Sequence, residues 1–431
     1  MKAIGIDIGT TTISGVVFDP EAEKVLEART IENGSFILAE HKWEKIQDPA
    51  VILEKSRHML DDFLKLYPDT ASIGITGQMH GILYTDPEGC PCSPLYTWQD
   101  GRGAAVADLI WETCGVKIPA GYGLATHVYN QRKGLVPDRA VNICTIGDCL
   151  GMYLTGRKRP LIHSSNAASL GFYDLKEACF NTDQLLSLGV RKDILPEITE
   201  DFSILGTYRG VLVTAALGDN QASFLGSVGL RNNILLLNMG TGGQISVLSD
   251  ICFGAPGIEA RPLVRGKYLL AGSSLCGGRA YAILERFLRS YTESAVGESS
   301  AQYKIMEKLA KDYENSNLFK DQMLVDTRFN GTRVDESLRG SISNLSEENF
   351  TPAGLIYGTL VGMSRELFDL YQIIFSGTGI HADKLIASGN GYRKNTVLQN
   401  ISRKMFGAPL ELAPYEEEAA CGAAISSRFA G

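Results

Sequence analysis

The stretch GIDIGTTTISGVVFD, residues 5–19, places the carboxylate of Asp7 inside an apolar run and follows it with a turn of glycine and threonine. Such a turn between two apolar runs predicts a β-hairpin, because glycine supplies the backbone freedom that a tight turn needs. A second stretch, NILLLNMGTGGQISVLSD at residues 233–250, has the same pattern about half a chain later. The repeat predicts two similar domains, residues 1–226 and residues 227–431.

The sequence that follows each hairpin alternates short apolar runs with amphipathic stretches, which is typical of α/β organisation. Residues 281–291 predict one amphipathic helix, and Val397, Leu398 and Ile401 share a face of another. Residues 416–427 are rich in alanine and glycine, which lets a helix pack closely against a sheet. The predicted fold class is therefore α/β.

The composition excludes several classes of protein. The chain has 431 residues, 44% of them hydrophobic, and a net charge of -8 without a local cluster of Lys and Arg, which argues against nucleic acid as a partner. No apolar run reaches the ~18 residues of a membrane span, and Asp7 interrupts the place of a signal peptide, so we expect a cytoplasmic protein without a membrane partner. The nine scattered cysteines are expected to be reduced thiols. The oligomeric state stays open, and a homodimer is compatible with the sequence.

The two Gly/Thr turns are candidate phosphate sites. A turn of this kind exposes backbone N–H groups and hydroxyls within a small arc, and such a nest binds phosphate oxygens. The chain has neither a Walker loop nor a strand followed by G-x-G-x-x-G at a helix start, which excludes the commoner nucleotide-binding folds. An ordinary tight turn is the alternative for each hairpin alone, and the pairing of the two disfavours it.

Asp219 stands in TAALGDNQASFLGSV, residues 214–228, between a strand-like run and a helix-like run. This placement predicts a carboxylate at a helix N-terminus, where the helix dipole favours an anion. Such a carboxylate is suited to accept the proton of a hydroxyl that attacks a phosphoryl group. An N-capping aspartate without a chemical role is the alternative.

The loop GQMHG, residues 77–81, lies between two strand-like runs and should project Gln78 and His80 from a strand end. Such side chains both donate and accept hydrogen bonds, so they are suited to bind the hydroxyl groups of a ligand. A histidine with a purely structural role is the alternative for His80.

The loop TWQDGR, residues 97–102, joins a strand-like run to a helix-like run. Trp98 is suited to cover an apolar face of a ligand, and Asp100 and Arg102 would bracket the ligand's hydroxyls at the mouth of the site or pair with each other. A surface ion pair is the alternative.

Together these motifs resemble the FGGY family of carbohydrate kinases over essentially the whole chain. The resemblance rests on Asp7-x-Gly9-Thr10-Thr11, Gly77-Gln78-Met79-His80-Gly81, Trp98-Gln99-Asp100-Gly101-Arg102, Gly218-Asp219-Asn220, Gly240-Thr241-Gly242, Arg339-Gly340 and Gly389-Asn390-Gly391 with Asn395. It implies two actin-like, ribonuclease-H-like domains with a substrate cleft between them, and an enzyme that uses Mg2+ with ATP as co-substrate.

The resemblance also implies roles for individual residues. Asp7 and Asp219 would hold the metal, and Asp219 would also be the catalytic base. The ATP-binding residues would be Thr10, Thr11, Thr12, Gly240, Thr241, Gly242, Gly278, Gly391 and Asn395. The sugar-binding residues would be Gln78, Met79, His80, Trp98, Asp100, Arg102 and Asn220.

Two stretches depart from the family pattern. HSSNAASLG, residues 163–171, matches a stretch that usually carries an acid before Ser-Asn-Ala, and Ser164 or Ser165 stands in that place, which leaves the local sugar contact undefined. In FNGTRVDESLRG, residues 329–340, Val334 replaces the proline of the family, which predicts a looser loop.

Within the family, the stretches GQMHGILYTD, TWQDGRG, GYGLATH and RPLIHSSNAASLGFYD resemble sedoheptulose kinases most and pentulose kinases next. The expected reaction is ATP-dependent phosphorylation of a ketose at its terminal hydroxyl, sedoheptulose to sedoheptulose 7-phosphate, with D-xylulose or another pentulose as the alternative. A non-catalytic sugar or nucleotide sensor is a rival that the retention of Asp7 and Asp219 disfavours. An actin-like chaperone or filament ATPase would keep the two hairpins but would have no use for GQMHG and TWQDGR.

Overall fold

The computed structural model of the chain describes residues 1–316 and 322–430, and its contacts divide it into two compact units. The ranges are Met1–Gly229, Pro262–Gly266 and Tyr415–Gly431 for unit 1, and Leu230–Arg261 and Lys267–Pro414 for unit 2. The boundary predicted near residue 226 differs from these units at two segments, residues 262–266 and 415–431, which the sequence assigned to the second domain.

The main sheet of unit 1 contains the hairpin predicted at the start of the chain. Its strands are β1 (Lys2–Ile8), β2 (Thr12–Asp19), β3 (Lys24–Glu32), β5 (Thr70–Gly77), β13 (Ile204–Tyr208), β14 (Val211–Thr214) and β15 (Leu217–Gly218). The order is β13-β14-β5-β1-β2-β3, and β15 pairs with the end of β5. The β1–β2 pair is antiparallel, with Ile8 opposite Ile13, whereas β1 and β15 both run parallel to β5.

Shorter strands and the helices of unit 1 surround this sheet. The strands are β4 (Ile46–Gln47), β6 (Leu83–Thr85), β7 (Leu95–Tyr96), β8 (Asn142–Cys144), β9 (Leu161–His163), β10 (Tyr173–Asp174), β11 (Cys179–Phe180) and β12 (Glu197–Thr199). The helices are α1 (Pro49–Leu66), α2 (Ala107–Cys114), α3 (Gly123–Arg132), α4 (Ile146–Thr155), α5 (Ser164–Ser169), α6 (Thr182–Ser187), α7 (Asp219–Ser227) and α13 (Glu418–Ser426), with 3-10 turns at Arg102–Val106 and Lys192–Ile194.

The C-terminal helix α13 explains why the end of the chain belongs to unit 1. The carbonyl oxygens of Ala420 and Ala423 occupy the places where side chains at Gly5 of β1 and Gly74 of β5 would begin. Only glycine on the strands permits so close an approach of the helix backbone. The close helix-on-sheet packing that the alanine-rich sequence predicts is therefore confirmed.

Unit 2 contains the second predicted hairpin at the centre of its sheet. Its strands are β16 (Ile234–Met239), β17 (Gly243–Ser249), β18 (Ile258–Val264), β19 (Lys267–Ser274), β20 (Leu324–Asp326), β21 (Ser341–Ser343), β22 (Lys384–Ser388) and β23 (Leu410–Leu412). Its helices are α8 (Gly277–Val296), α9 (Tyr303–Glu314), α10 (Pro352–Thr378), α11 (Gly389–Arg393) and α12 (Thr396–Phe406). The sheet order is β18-β19-β17-β16-β22-β23, in which β16 is antiparallel to β17 and parallel to β22.

Each unit has its own hydrophobic core. In unit 1 the isoleucines of β1 and β5 pack with Leu60 and Phe63 of α1. In unit 2 the strands β16 and β17 pack with Leu360 and Leu367 of α10 and with Ile401 of α12. The two helices predicted from residues 281–291 and from the 397–401 face are confirmed as α8 and α12.

The nine cysteines of the chain are all free, in agreement with the expectation of reduced thiols. Within residues 1–316 and 322–430, no helix is both long and apolar enough to cross a membrane.

Candidate active site

Three neighbouring parallel strands of unit 1 end at the same edge of the sheet. Gly218, the last residue of β15, lies opposite Gly77 of β5, and Gly77 lies opposite Ile8 of β1. The residues that follow these strands are Asp219, the GQMHG loop and the first Gly/Thr turn. The register therefore brings the proposed base, sugar contacts and phosphate turn of unit 1 together at one edge.

The turn between β1 and β2 is held by the loop that precedes α1. Asn33 Nδ2 donates to the carbonyl oxygen of residue 9 at 2.7 Å, Gln47 Nε2 donates to that of residue 10 at 2.8 Å, and the backbone N–H of Asn33 donates to that of residue 11 at 2.9 Å. The C=O and N–H of a trans peptide point in opposite directions. The N–H groups of Thr10, Thr11 and Thr12 consequently point away from this loop, as a phosphate nest requires.

Thr10 is linked directly to two of the predicted sugar-binding residues. Trp98 Nε1 donates to Thr10 Oγ1 at 3.0 Å, and Thr10 Oγ1 donates to Gln78 Oε1 at 3.4 Å. Gln78 Nε2 in turn donates to Gln47 Oε1 at 2.9 Å. Because 48% of Trp98 remains exposed, its ring can cover a ligand while its N–H stays bonded.

His80 is held in one orientation and one tautomer. Its φ of 72° is unusual for a residue other than glycine, and its backbone N–H donates to Ser169 Oγ at 3.1 Å. The ring Nδ1 lies 2.8 Å from the carbonyl oxygen of Ser169, which can only accept, so Nδ1 carries the proton and Nε2 the lone pair. Tyr122 stacks on the ring with centroids 4.4 Å apart.

Asp219 is the first residue of α7, as the sequence predicts, and its neighbour contacts the GQMHG loop. Asn220 Nδ2 donates to Asp219 Oδ1 at 2.9 Å and to the sulfur of Met79 at 3.7 Å. Met79 is buried, with 6% of its surface exposed. Met79 therefore contacts Asn220, and Asn220 fixes one carboxylate oxygen of Asp219.

Asp7 is a carboxylate with altered acidity. Withdrawal from water, together with the nearby carboxylates of Asp219 and Glu417, raises the pKa of Asp7 to about 7. A cation beside Asp7 and Asp219 would relieve this repulsion. Among the described residues no group of three or more His, Cys, Asp or Glu side chains could hold a metal by itself. Mg2+ is usually held by one or two carboxylates together with substrate phosphates and water, so this pair of aspartates fits it.

Asp100 and Arg102 do not lie at the mouth of a site, where the sequence placed them. Both are buried, and Arg102 Nε and Nη2 donate to the two carboxylate oxygens of Asp100 at 2.7 and 3.1 Å. Asp100 also accepts from the backbone N–H of Lys45, and Arg102 donates to Asn130. Of the predicted arrangements, the mutual pairing of Asp100 and Arg102 is confirmed, in a buried rather than a surface position, and the pair holds the segment that presents Trp98.

The predicted nucleotide residues of unit 2 converge at the end of β16. The N–H of Gly278 donates to the carbonyl oxygen of Gly240 at 2.9 Å, and the N–H of Arg279 donates to that of Thr241 at 3.0 Å. By the same peptide geometry, the N–H groups of Thr241 and Gly242 point away from α8. A side chain at Gly278 would overlap the carbonyl oxygen of Gly240, so this close contact requires glycine.

Gly391 and Asn395 lie on α11 and at the start of α12. A side chain at Gly391 would lie 2.8 Å from the carbonyl oxygen of Met239, the last residue of β16. Asn395 caps α12, because its Oδ1 accepts from the N–H of Leu398 at 3.0 Å. Gly391 thus lies with the residues around the second turn. The side-chain oxygen of Asn395 is used to cap α12.

The two departures from the family pattern have different surroundings. Ser164 and Ser165 are both buried, and Ser165 Oγ accepts from the N–H of Gly218, next to Asp219. Val334 is 61% exposed, and the adjacent turn is closed by hydrogen bonds between Thr332 and Asp335.

Sequence reasoning missed several residues that shape the site in unit 1. Tyr122 and Ser169 orient His80, Gln47 links Gln78 to the first turn, and Glu417 acts on Asp7 from the far end of the chain. GYGLATH and HSSNAASLG contain the first two of these residues, whereas no motif points to Gln47 or Glu417.

Two α/β units that each contain a Gly/Thr hairpin form the actin-like, ribonuclease-H-like fold, which solved structures of sugar kinases share. The model of the FGGY family of carbohydrate kinases, N-terminal domain, matches residues 2–226, and that of its C-terminal domain matches residues 237–430. The chain belongs to the FGGY family of carbohydrate kinases, and it is a carbohydrate kinase.

Individual relatives agree with this family. The chain is 27% identical to the sedoheptulokinase of Mus musculus, with 98% of this chain and 96% of that protein covered. It is 26% identical to the glycerol kinase of Aquifex aeolicus (strain VF5), with 99% and 89% covered. The crystal structure of xylulose kinase from Rhodospirillum rubrum matches with a TM-score of 0.83 and 21% identity, over 99% of this chain and 89% of that one.

Proposed function

We propose that the protein transfers the γ-phosphoryl group of ATP to the terminal hydroxyl of a ketose, and that this ketose is sedoheptulose, which becomes sedoheptulose 7-phosphate. The observation that supports the proposal most is the shared edge of β15, β5 and β1, where a carboxylate, a set of hydroxyl-binding side chains and a phosphate nest follow adjacent strands. A transfer from phosphate to hydroxyl needs these three kinds of group together.

Asp219 would accept the proton of the attacking hydroxyl. Its position at the start of α7 stabilises the charged form, and Asn220 leaves one carboxylate oxygen in a defined direction. Mg2+ held by Asp7 and Asp219 would neutralise charge on the phosphates of ATP. The amides of residues 10–12 would bind phosphate oxygens, and unit 2 would bind the nucleotide through Thr241, Gly278 and their neighbours.

The sugar would be bound by the loops after β5 and β7. His80 Nε2 would accept a hydrogen bond from a sugar hydroxyl, because Nδ1 already donates to Ser169. Gln78 would contribute its amide, and Trp98 would cover an apolar face of the sugar. Asp100 and Arg102 would act indirectly, by holding Trp98.

The choice of sedoheptulose rests on the sedoheptulokinase of Mus musculus, which is similar over nearly the whole length of both chains. A site that hydrogen-bonds each hydroxyl of a seven-carbon sugar leaves buried polar groups unpaired with a shorter one, which can cost ~10²-fold or more in kcat/KM. We therefore expect strong discrimination against pentuloses.

The test is release of ADP with sedoheptulose, D-xylulose, ribulose, fructose and glycerol at fixed Mg-ATP, followed by phosphorus NMR of the product. The expected result is the highest kcat/KM with sedoheptulose and a phosphate on its terminal carbon. A higher value with a pentulose would overturn the sedoheptulose assignment and leave a ketose kinase.

Asp219→Asn tests the chemistry independently of the sugar. We expect a loss of ~10²–10⁴-fold in kcat, because a positioned general base typically contributes that much. Sugar and Mg-ATP should still bind in calorimetry. A chain without turnover on any sugar would support the non-catalytic sensor, and ATP hydrolysis that no sugar stimulates would support an actin-like ATPase.

A further inference from the structure

The three residues that precede Asp219 are each held by a different side chain. Asn166 Nδ2 donates to the carbonyl oxygen of residue 216 at 2.9 Å, and Thr76 Oγ1 donates to that of residue 217 at 3.0 Å. Ser165 Oγ accepts from the N–H of Gly218 at 2.9 Å. All three side chains are buried. Each of the three backbone positions that lead into Asp219 is therefore fixed by its own side-chain hydrogen bond.

Gly218 depends on Ser165 because it has no side chain of its own. It is the N-cap residue of α7, and no side chain at that position caps the helix. A buried N–H group needs a partner, and the hydroxyl of Ser165 supplies it. The peptide that this bond fixes is one residue from the carboxylate of Asp219.

His163 determines which way the hydroxyl of Ser165 points. The backbone N–H of Ser165 donates to His163 Nδ1 at 3.1 Å, so Nδ1 carries the lone pair. Ser165 Oγ lies 2.8 Å from the same nitrogen and donates its proton there, which leaves its own lone pairs for Gly218. His163 is fully buried and stacks on Phe202 with centroids 5.9 Å apart.

The surroundings keep His163 in this acceptor form. Burial lowers the pKa of His163 to about 4, so the ring stays neutral at neutral pH. The direction of the Ser165 hydroxyl is therefore constant over the range in which a kinase works.

We propose that Ser165 is a positioning residue for Asp219: oriented by His163, its hydroxyl holds the Gly218 peptide and thereby the direction of the catalytic carboxylate. This inference rests on the proposed role of Asp219 as the base. It gives a function to Ser165 in a stretch where the family usually carries an acid.

Ser165→Ala should lower kcat by about 10–10²-fold, because a small displacement of a catalytic group costs that much. The KM values for sugar and ATP should stay within about threefold, since the hydroxyl of Ser165 is already bonded to His163 and Gly218. The matched control is Ser227→Ala, which removes another buried serine hydroxyl, at the far end of α7, that has no hydrogen-bond partner among the described residues. This control should keep the wild-type kcat. Ser165→Cys, which keeps the volume but accepts weakly, should lie between wild type and Ser165→Ala.

A double-mutant cycle with Asp219→Asn separates positioning from a general structural effect. If Ser165 acts through Asp219, Ser165→Ala will not lower the residual kcat of Asp219→Asn further. An equal fold-loss in both backgrounds, or a wild-type kcat in Ser165→Ala, would overturn the inference. Thermal unfolding shows whether Ser165→Ala is folded. If it is unfolded, Ser165→Cys replaces it in the double-mutant cycle. A wild-type kcat in Asp219→Asn alone would instead overturn the proposed function.

Discussion

The two Gly/Thr hairpins share a backbone design but differ in charge. In unit 1, residues 9–11 join β1 to β2, and Asp7 lies opposite Ser14 just before the turn. In unit 2, residues 240–242 join β16 to β17, and the corresponding residue is the neutral Asn238, opposite Gln244. Both turns have their carbonyl oxygens bonded to neighbouring groups, so both direct N–H groups away from those neighbours.

This difference in charge indicates that the two hairpins would bind different groups. The first hairpin combines a nest with the carboxylate of Asp7, near Asp219, which suits metal binding. The second combines a nest with the N-terminus of α8 and with Arg279, which suits the negative charge of the nucleotide phosphates. A common backbone motif would thus serve opposite charges, and four substitutions test this difference between the two hairpins.

The largest effect is expected from Asp7→Asn. It removes the carboxylate that would anchor Mg2+, and metal ions supply several kcal/mol of charge stabilisation, so kcat/KM should fall roughly 10³-fold. The matching change in the second hairpin, Asn238→Ala, should cost less than about tenfold, because no metal is expected there. Steady-state kinetics at several Mg2+ concentrations measure both. Similar losses in the two variants would contradict this difference between the two hairpins.

The same Asp7→Asn variant should be more stable than wild type at high pH. The pKa of this carboxyl rises from 3.8 to about 7 on folding, so the folded chain holds the proton more tightly and loses stability as pH rises between these values. Above pH 7 the difference in unfolding free energy should approach at most ~4 kcal/mol, at 1.36 kcal/mol per pKa unit, and it should vanish below pH 4. Thermal unfolding in chelator, at pH 4.5 and pH 8, tests this. A gain of equal size at both pH values would show that ionisation is not the cause.

Much of the fold, and less of the site, could be predicted from the sequence. The hairpins, α8 and α12 were predictable because periodicity and glycine report on local backbone geometry. The pairing of Asp100 with Arg102 was predictable but their burial was not, because burial depends on the partners of a side chain, and Lys45 and Asn130 are distant in sequence. The packing of the C-terminal segment in unit 1 was not predictable for a related reason, since long-range packing has no local signal.

Gly278→Ala is expected to have an intermediate effect, confined to the second hairpin. A methyl group there would overlap the carbonyl oxygen of Gly240 and push the turn away from α8. Displacement of a nest by about 1 Å should lower kcat/KM for ATP by up to ~10²-fold while the KM for sugar changes little. Gly254→Ala is the matched control, because a methyl group there has no neighbour closer than 3.9 Å. An equal rise in the sugar KM would place Gly278 outside the nucleotide site.

The smallest effect is expected from Arg279→Ala. The N–H of Arg279 is bonded to the carbonyl oxygen of Thr241, which anchors the start of its side chain beside the turn, and no hydrogen bond or ion pair holds its guanidinium within the part of the chain that the structure describes. A charge-assisted contact from an exposed side chain to phosphate should contribute about tenfold in the KM for ATP. Arg286→Ala, two turns further along α8 and also exposed, should change this KM by less than twofold. Because mobile ions screen exposed charges, the Arg279→Ala effect should shrink between low and high salt, whereas that of Gly278→Ala should not. If Arg279→Ala and Arg286→Ala change the KM for ATP equally, the two arginines act only through the overall charge of the unit. The second hairpin would then bind phosphate through its backbone alone.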